Sequence, residues 1–216
     1  MSIRPDLRFE YQLHAQGFRY IAGLDEAGRG AWAGPVVAGA VILPADRFDL
    51  ARALAGVDDS KRLTPAEREA LLPQILDHAL ATGLGFASHA EIDTLGIVPA
   101  TRLAMRRALD ALSVPPDALL TDALDLSEAG LPCLSLIRGD QRSVSIAAAS
   151  ILAKVVRDQF MDDLDDRFPQ YGFREHKGYG TALHRSALRQ FGPCTVHRRS
   201  FAPLHALSSQ PGAESS

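Results

Sequence analysis

Short apolar runs alternate with helical patterns along this chain, and that alternation restricts it to an architecture in which helices cover a sheet. Residues 20–24 read as a short strand, after which Gly28, Arg29 and Gly30 force a turn. Residues 36–43, rich in Val, Ile and Ala, fit a buried strand that ends at Pro44. Thr64 is placed to N-cap a helix, with Pro65 at its first position and Glu67 three residues beyond the Thr. That helix is expected to run to about Ala81. Residues 83–88, 118–121 and 134–137 supply three further strands. Residues 100–112 carry a helical stripe of Leu103, Ala104, Ala108, Leu109 and Leu112. Residues 145–168 read as one long helix stopped by Pro169, and residues 181–191 as another. The order implies a single α/β domain over residues 1–206, a central mixed β-sheet flanked by helices, with a helical C-terminal part from about residue 160. Residues 207–216 are polar and expected to be disordered.

Several function classes are disfavoured at this level. The two cysteines, Cys133 and Cys194, form neither a disulfide framework nor a zinc spacing, and read as small buried or half-buried thiols. The first ten residues lack an apolar core of a signal peptide, and the run 36–43 is far too short to cross a bilayer, so a cytoplasmic location without membrane contact is expected. A net charge of −3 argues against a nucleic-acid partner. The distribution weakens that objection. Basic residues gather late, at Lys154, Arg157, Arg174, Lys177, Arg198 and Arg199, and an acidic metal site elsewhere would mask a basic groove in the total.

Four carboxylates lie where strands end. Asp25 and Glu26 follow the first strand, Asp122 follows residues 118–121, and Asp140 follows residues 134–137. Strand ends are where an open α/β sheet collects functional side chains. Carboxylates meeting at one edge repel one another unless cations neutralise them, and hard oxygen donors in that number suit Mg²⁺ or Mn²⁺. Two such ions about 4 Å apart can activate water and stabilise a leaving oxygen in phosphodiester hydrolysis. Adjacent strand residues point to opposite faces, so Asp25 and Glu26 can share a site only if the strand is already breaking there. The bland alternative, solvated acids capping strands and helices, stays open on spacing alone.

The segment Gly23-Leu24-Asp25-Glu26-Ala27-Gly28-Arg29-Gly30, continuing through Trp32-Ala33-Gly34-Pro35, resembles the signature of bacterial ribonuclease HII. The resemblance continues at Asp59-Ser60-Lys61-Arg62-Leu63, Glu91-Ile92-Asp93, Ala148-Ala149-Ser150-Ile151-Leu152-Ala153-Lys154, Arg157-Asp158, Tyr171-Gly172-Phe173, His176-Lys177-Gly178-Tyr179 and His197-Arg198-Arg199-Ser200-Phe201, in that order. It implies a ribonuclease H-like fold with a helical C-terminal extension. It also implies cleavage of the RNA strand of RNA–DNA hybrids and of DNA duplexes on the 5′ side of single embedded ribonucleotides, leaving 3′-hydroxyl and 5′-phosphate ends. Residue by residue, it implies that Asp25, Glu26, Asp122 and Asp140 are catalytic and hold Mn²⁺ or Mg²⁺. The chain departs from the pattern at Ala123, where the family usually has Gly, at Ala147 for a usual Ser, and at Gly96 for a usual Asn. Only Ala123 touches the acids, because Gly permits backbone angles that Ala does not.

The resemblance also marks substrate contacts. The backbone of Gly28-Arg29-Gly30 can approach a strand closely and hydrogen-bond a 2′-hydroxyl, the group that distinguishes RNA from DNA. Tyr179, between Gly178 and Gly180, is expected to be well exposed and to sense the sugar at the RNA–DNA junction. Lys61, with Lys154, Lys177, Arg198 and Arg199, is a candidate phosphate contact, with a plain solvated charge as the alternative for each. His176 and His197 fit either phosphate contact or structural capping. Asp158 is expected to pair with Lys154 or Arg157 rather than reach the metals. Two other functions compete: a catalytically silent hybrid-binding module, which the four intact acids oppose, and a DNA-junction nuclease, which has no use for the Gly28-Arg29-Gly30 and Tyr179 pair. Nothing demands an oligomer, so a monomer is expected.

Overall fold

A helix that the apolar pattern does not announce comes first in the computed structural model, which describes residues 4–202 and 204. α1 (Arg8–Ala15) buries Phe9, Glu10 and Leu13. Glu10 accepts hydrogen bonds from Ser143 Oγ at 2.6 Å and from the Ser145 N–H at 2.9 Å, which ties α1 to the start of the long helix.

β1 (Ile21–Ala27) and β2 (Val36–Ile42) then pair antiparallel, from Ala22↔Ile42 to Ala27↔Val37. β1 is longer than the expected 20–24. Asp25 and Glu26 stay in register with Gly39 and Ala38, so the strand does not break at the acids. The short α2 (Leu50–Ala53) precedes α3 (Pro65–His78), whose Thr64–Glu67 capping box is complete. α3 ends before Ala81 because β3 (Ala81–Ala87) begins there, pairing antiparallel with β2 from Ile42↔Ala81 onward. α4 (His89–Leu95) is capped by Ser88 and Glu91, and Gly96 at φ 82° turns the chain directly into α5 (Ile97–Asp110). β4 (Ala118–Asp122) joins β1 in parallel and β5 (Cys133–Leu136) joins β4 in parallel, giving the order β3-β2-β1-β4-β5.

The long α6 (Val144–Arg167) is capped by Ser143, whose side chain accepts from the Ile146 N–H. Two covering helices explain why β2 is buried throughout. Val36, Ala38, Ala40 and Ile42 enter the core beneath α5, and Val41 the core beneath α6. α6 lies close to the strands: a Cβ at Gly23 would fall 2.3 Å from the Ser145 backbone, and one at Gly39 2.5 Å from the Ala149 carbonyl. That closeness requires small residues on both sides, met by Ala147, Ala148 and Ala149. Ile151, Leu152 and Val155 of the same helix are buried, each contributing about 1.5–3 kcal/mol.

α7 (Phe173–His176) and α8 (Ala182–Phe191) follow, and a separate cluster of Met161, Leu164, Tyr171, Phe173, Leu188 and Val196 packs them against the far end of α6. The mixed sheet with flanking helices and a helical C-terminal region matches the expected fold class. Residues 207–216 lie outside the described residues. No helix among the described residues is long and apolar enough to cross a membrane.

Candidate metal centre and nucleic-acid contacts

Three parallel-paired elements bring three acids together. Asp25 is on β1, Asp122 is the last residue of β4, and Asp140 sits in the 3₁₀ turn Gly139–Gln141 that follows β5. Carboxylate oxygens of the three all lie within 4.8 Å of one another. Asp25 and Asp140 are each only 2% exposed. Asp122 is anchored by the Gly139 N–H, which donates to its Oδ1 at 2.7 Å. The residue after it, Ala123, is left-handed at φ 54°, the conformation that favours Gly at this point.

Glu26 lies beside this group, not in it. Its Oε1 accepts from Arg29 Nη1 at 3.1 Å, as alternation on an unbroken strand requires. It still feels the charges of Asp122 and Lys61. The strand does not break, and in keeping with the alternation argument Glu26 stays at the rim of the acid group instead of joining it.

Electrostatics point to the kind of group this site would hold. Burial, then the neighbouring charges of Glu26 and Asp122, hold the Asp25 carboxyl well above the usual range. Burial likewise raises Glu26. Burial, Asp122 and Asp59 raise Asp140 to about 6. Asp25 Oδ2 and Glu26 Oε2 are buried with no protein hydrogen-bond partner. Buried carboxylate oxygens without donors, in an all-oxygen set, fit hard divalent cations. Lys61 Nζ stands 3.4 Å from Asp140 Oδ2. Desolvation acts downward on that ammonium, but Asp25, Asp140 and Asp59 outweigh it and raise its pKa.

Asp59 is a site residue that sequence reasoning passed over, although it stands in the quoted Asp59-Ser60-Lys61 motif. It is 4% exposed, accepts from the Lys61 N–H at 2.9 Å and from Gln141 Nε2 at 3.2 Å, and raises Asp140. Ser60 Oγ meets Ser150 Oγ of α6 at 2.7 Å, which locks the motif to the helix. Asp158 is not among the three grouped acids; it lies on the unbroken α6, roughly 20 Å from the helix start. It accepts from Lys154 Nζ at 2.7 Å, as expected, and also from the buried Arg68 at 3.5 Å.

The Gly28-Arg29-Gly30 loop is shaped from below by Arg157. Gly28 has φ +94°, and a Cβ there would fall 1.9 Å from Arg157 Nε. Arg157 is fully buried and donates to the carbonyls of Pro35, Lys177 and Ala33. Arg198, a candidate phosphate contact, is also fully buried. It donates to the carbonyls of Gly34 and Arg29 at 3.0 and 2.9 Å, so it holds this loop and cannot reach a phosphate. Arg29 and Gly30 remain exposed. Tyr179 sits 4.0 Å from the Cβ position of Gly30. It is half-buried rather than well exposed, because Lys154 and Arg157 lie over its ring at 5.8 and 5.5 Å. Lys177 Nζ pairs with Asp162, and Arg199 is exposed. His176 and His197 are buried, which excludes phosphate contact and leaves the structural alternative.

Comparison with known proteins identifies the family. The family model described as Ribonuclease HII matches residues 22–204. A ribonuclease HII of Chloroflexus aurantiacus is 54% identical over 93% of this chain and 94% of its own length. One of Geobacillus kaustophilus is 56% identical over 93% of this chain and 75% of its own length. The crystal structure of ribonuclease H2 from Pyrococcus horikoshii superposes with a TM-score of 0.74 at 26% identity, covering 87% of this chain and 96% of that one. The chain belongs to the ribonuclease HII family and is a metal-dependent endoribonuclease.

Proposed function

We propose that the chain hydrolyses the RNA strand of RNA–DNA hybrids and cuts duplex DNA 5′ of single embedded ribonucleotides, leaving 3′-hydroxyl and 5′-phosphate ends. The observation that carries this is the convergence of Asp25, Asp122 and Asp140 within 4.8 Å, beside the exposed Arg29-Gly30 edge and Tyr179. Asp25, Asp122 and Asp140, with Glu26 at the rim, would hold a pair of Mn²⁺ or Mg²⁺ ions. When bound, the ions would supply a lowered pKa of water and neutralisation of the charge that develops on the phosphoryl oxygens. The residues do the rest. The cluster's repulsion keeps the acids poised for cations. Lys61, 71% exposed at its side chain and pointed at Asp140, contacts a substrate phosphate at the site's edge. The free backbone at Arg29 and Gly30 reads the 2′-hydroxyl, and Tyr179 stacks on the adjoining sugar. The protein acts as a monomer in the cytoplasm, with residues 1–206 as one catalytic domain.

The test is cleavage of three matched duplexes, all-DNA, hybrid and single-ribonucleotide, with Mn²⁺, Mg²⁺ or chelator, by the parent and by Asp25→Asn. Cleavage at and 5′ of ribonucleotides, abolished by chelator and by Asp25→Asn, is the expected result. Binding without cleavage would favour the silent module, and cleavage of all-DNA duplexes would favour the junction nuclease. Near-parental cleavage by Asp25→Asn would sink the site assignment.

A further inference from the structure

Three buried histidines lie directly beneath Tyr179. His184 is on the first turn of α8, His176 ends α7, and His197 follows Cys194. The rings of His176 and His184 stack at 4.4 Å with 11° between planes. His184 Nε2 and His197 Nε2 face each other at 3.0 Å. Two imidazole nitrogens can share a hydrogen bond only if one carries the proton and the other does not.

The ends of the array decide which. The backbone N–H of Cys194 donates to His197 Nδ1 at 3.0 Å, so that nitrogen is an acceptor and the proton of a neutral His197 is on Nε2. His197 Nε2 therefore donates to His184 Nε2, and the proton of His184 is on Nδ1. His184 Nδ1 in turn lies 3.0 Å from the Tyr179 carbonyl oxygen, which can only accept. His176 is fixed in the same way: the Gly178 N–H donates to its Nδ1 at 3.2 Å, and its Nε2 donates to the Tyr171 carbonyl at 2.8 Å. All three rings are neutral, each in one tautomer. Burial, which pushes His184 and His197 down to about 4, agrees with this bookkeeping.

We propose that His184 and His197 are positioning residues for Tyr179, acting through a one-way hydrogen-bond chain that runs from the Cys194 N–H through both imidazoles to the Tyr179 carbonyl. The chain fixes the peptide on which the ring is mounted. The Thr181 N–H donates to the same carbonyl at 2.8 Å, and Thr181 caps the helix that carries His184, so ring, peptide and helix move as one body. The inference rests on the reading that Tyr179 meets the substrate sugar.

Two measurements test it. Imidazole ¹⁵N shifts of the unaltered protein at neutral pH are expected to show His184 protonated on Nδ1 and His197 on Nε2; the opposite tautomers, or a cationic ring, would overturn the chain. Cleavage of a single-ribonucleotide duplex in Mn²⁺ provides the second. His184→Gln, which lacks a donor at the Nδ1 position, is expected to lose roughly tenfold to a hundredfold in kcat with duplex Kd little changed. His184→Asn, whose amide mimics Nδ1–H, is expected to recover most of that rate. In the Tyr179→Ala background, His184→Gln is expected to add no further loss. Equal multiplicative losses in both backgrounds, or Gln and Asn variants alike, would reject the positioning argument. Tyr179→Ala alone keeps the two readings apart. If it cleaves like the parent, the sugar contact fails; if it is impaired while His184→Gln is not, only the present inference fails.

Discussion

Replacing Asp140 by Asn is expected to stabilise the metal-free protein while abolishing its cleavage. The Asp140 carboxyl is raised from an ordinary 3.8 to about 6 by burial, Asp122 and Asp59. The folded state thus binds its proton more tightly than the unfolded chain does. Stability is greatest below the unfolded value, falls as pH rises between about 4 and about 6, and remains lowered above that. At about 1.4 kcal/mol per tenfold change in proton affinity, the full cost at neutral pH is roughly 3 kcal/mol. Screening by water and by the largely exposed Lys61 reduces this to about 2 kcal/mol. For a chain of this size that is roughly 4–8 °C in Tm. The assay is thermal melting of the parent and Asp140→Asn at pH 7.5, first with chelator and then with excess Mn²⁺. In chelator the variant should melt higher. With Mn²⁺ at about a hundred times its Kd the parent should regain about 2.7 kcal/mol, and the variant less. A variant that melts below the parent in chelator, or a parent indifferent to Mn²⁺, would refute the reasoning that these acids are held in mutual repulsion for a cation.

Gly28→Ala places a side chain at φ +94° and 1.9 Å from Arg157 Nε. Backbone strain of about 1–2 kcal/mol and the displaced guanidinium's lost hydrogen bonds should cost at least about 3 kcal/mol in urea unfolding, with cleavage lost; a midpoint like the parent's would contradict the packing. Ala123→Gly relieves the left-handed φ of 54° and should raise unfolding free energy by a few tenths to about 1 kcal/mol, measured by urea titration; destabilisation would mean the turn after Asp122 is not left-handed. Asp158→Asn leaves Lys154 and the buried Arg68 without their carboxylate, so about 1–3 kcal/mol of stability should go while measurable cleavage remains. Loss of cleavage at full stability would instead place Asp158 among the metal-holding acids.

What could be read in advance follows from how local each feature is. Asp122 and Asp140 were legible because each follows a strand-like run within three residues, and parallel pairing of β1, β4 and β5 then carries them to the same edge. The Thr64–Glu67 box was legible because its partners are three residues apart. Glu10 was not. Its partners, Ser143 and Ser145, lie more than a hundred residues away, and α1 offers only the short apolar pair Phe9 and Leu13. Arg198 was misread for a related reason: a cationic side chain in a basic stretch signals phosphate contact, but its partners are backbone carbonyls, which leave no mark in the sequence. Tyr179 looked exposed between two glycines, and its burial comes from Lys154 and Arg157 on a different element.

The two kinds of pairing made by β1 have a consequence for how the enzyme acquires activity during folding. Its antiparallel bonds to β2 join residues close in the chain, from Ala22↔Ile42 to Ala27↔Val37. Its parallel bonds to β4 join residues about a hundred positions apart, from Ile21↔Ala118 to Leu24↔Thr121. Contacts of such long sequence separation form slowly, because the entropy of loop closure is lost before the contacts repay it. β4 and β5 are themselves a local pair, from Leu119↔Cys133 to Asp122↔Leu136, so it is the β1–β4 docking that brings Asp25 to Asp122 and Asp140. Because the acid cluster exists only once β1 is paired with β4, recovered cleavage is expected to report that long-range docking, whereas recovered strand content is not.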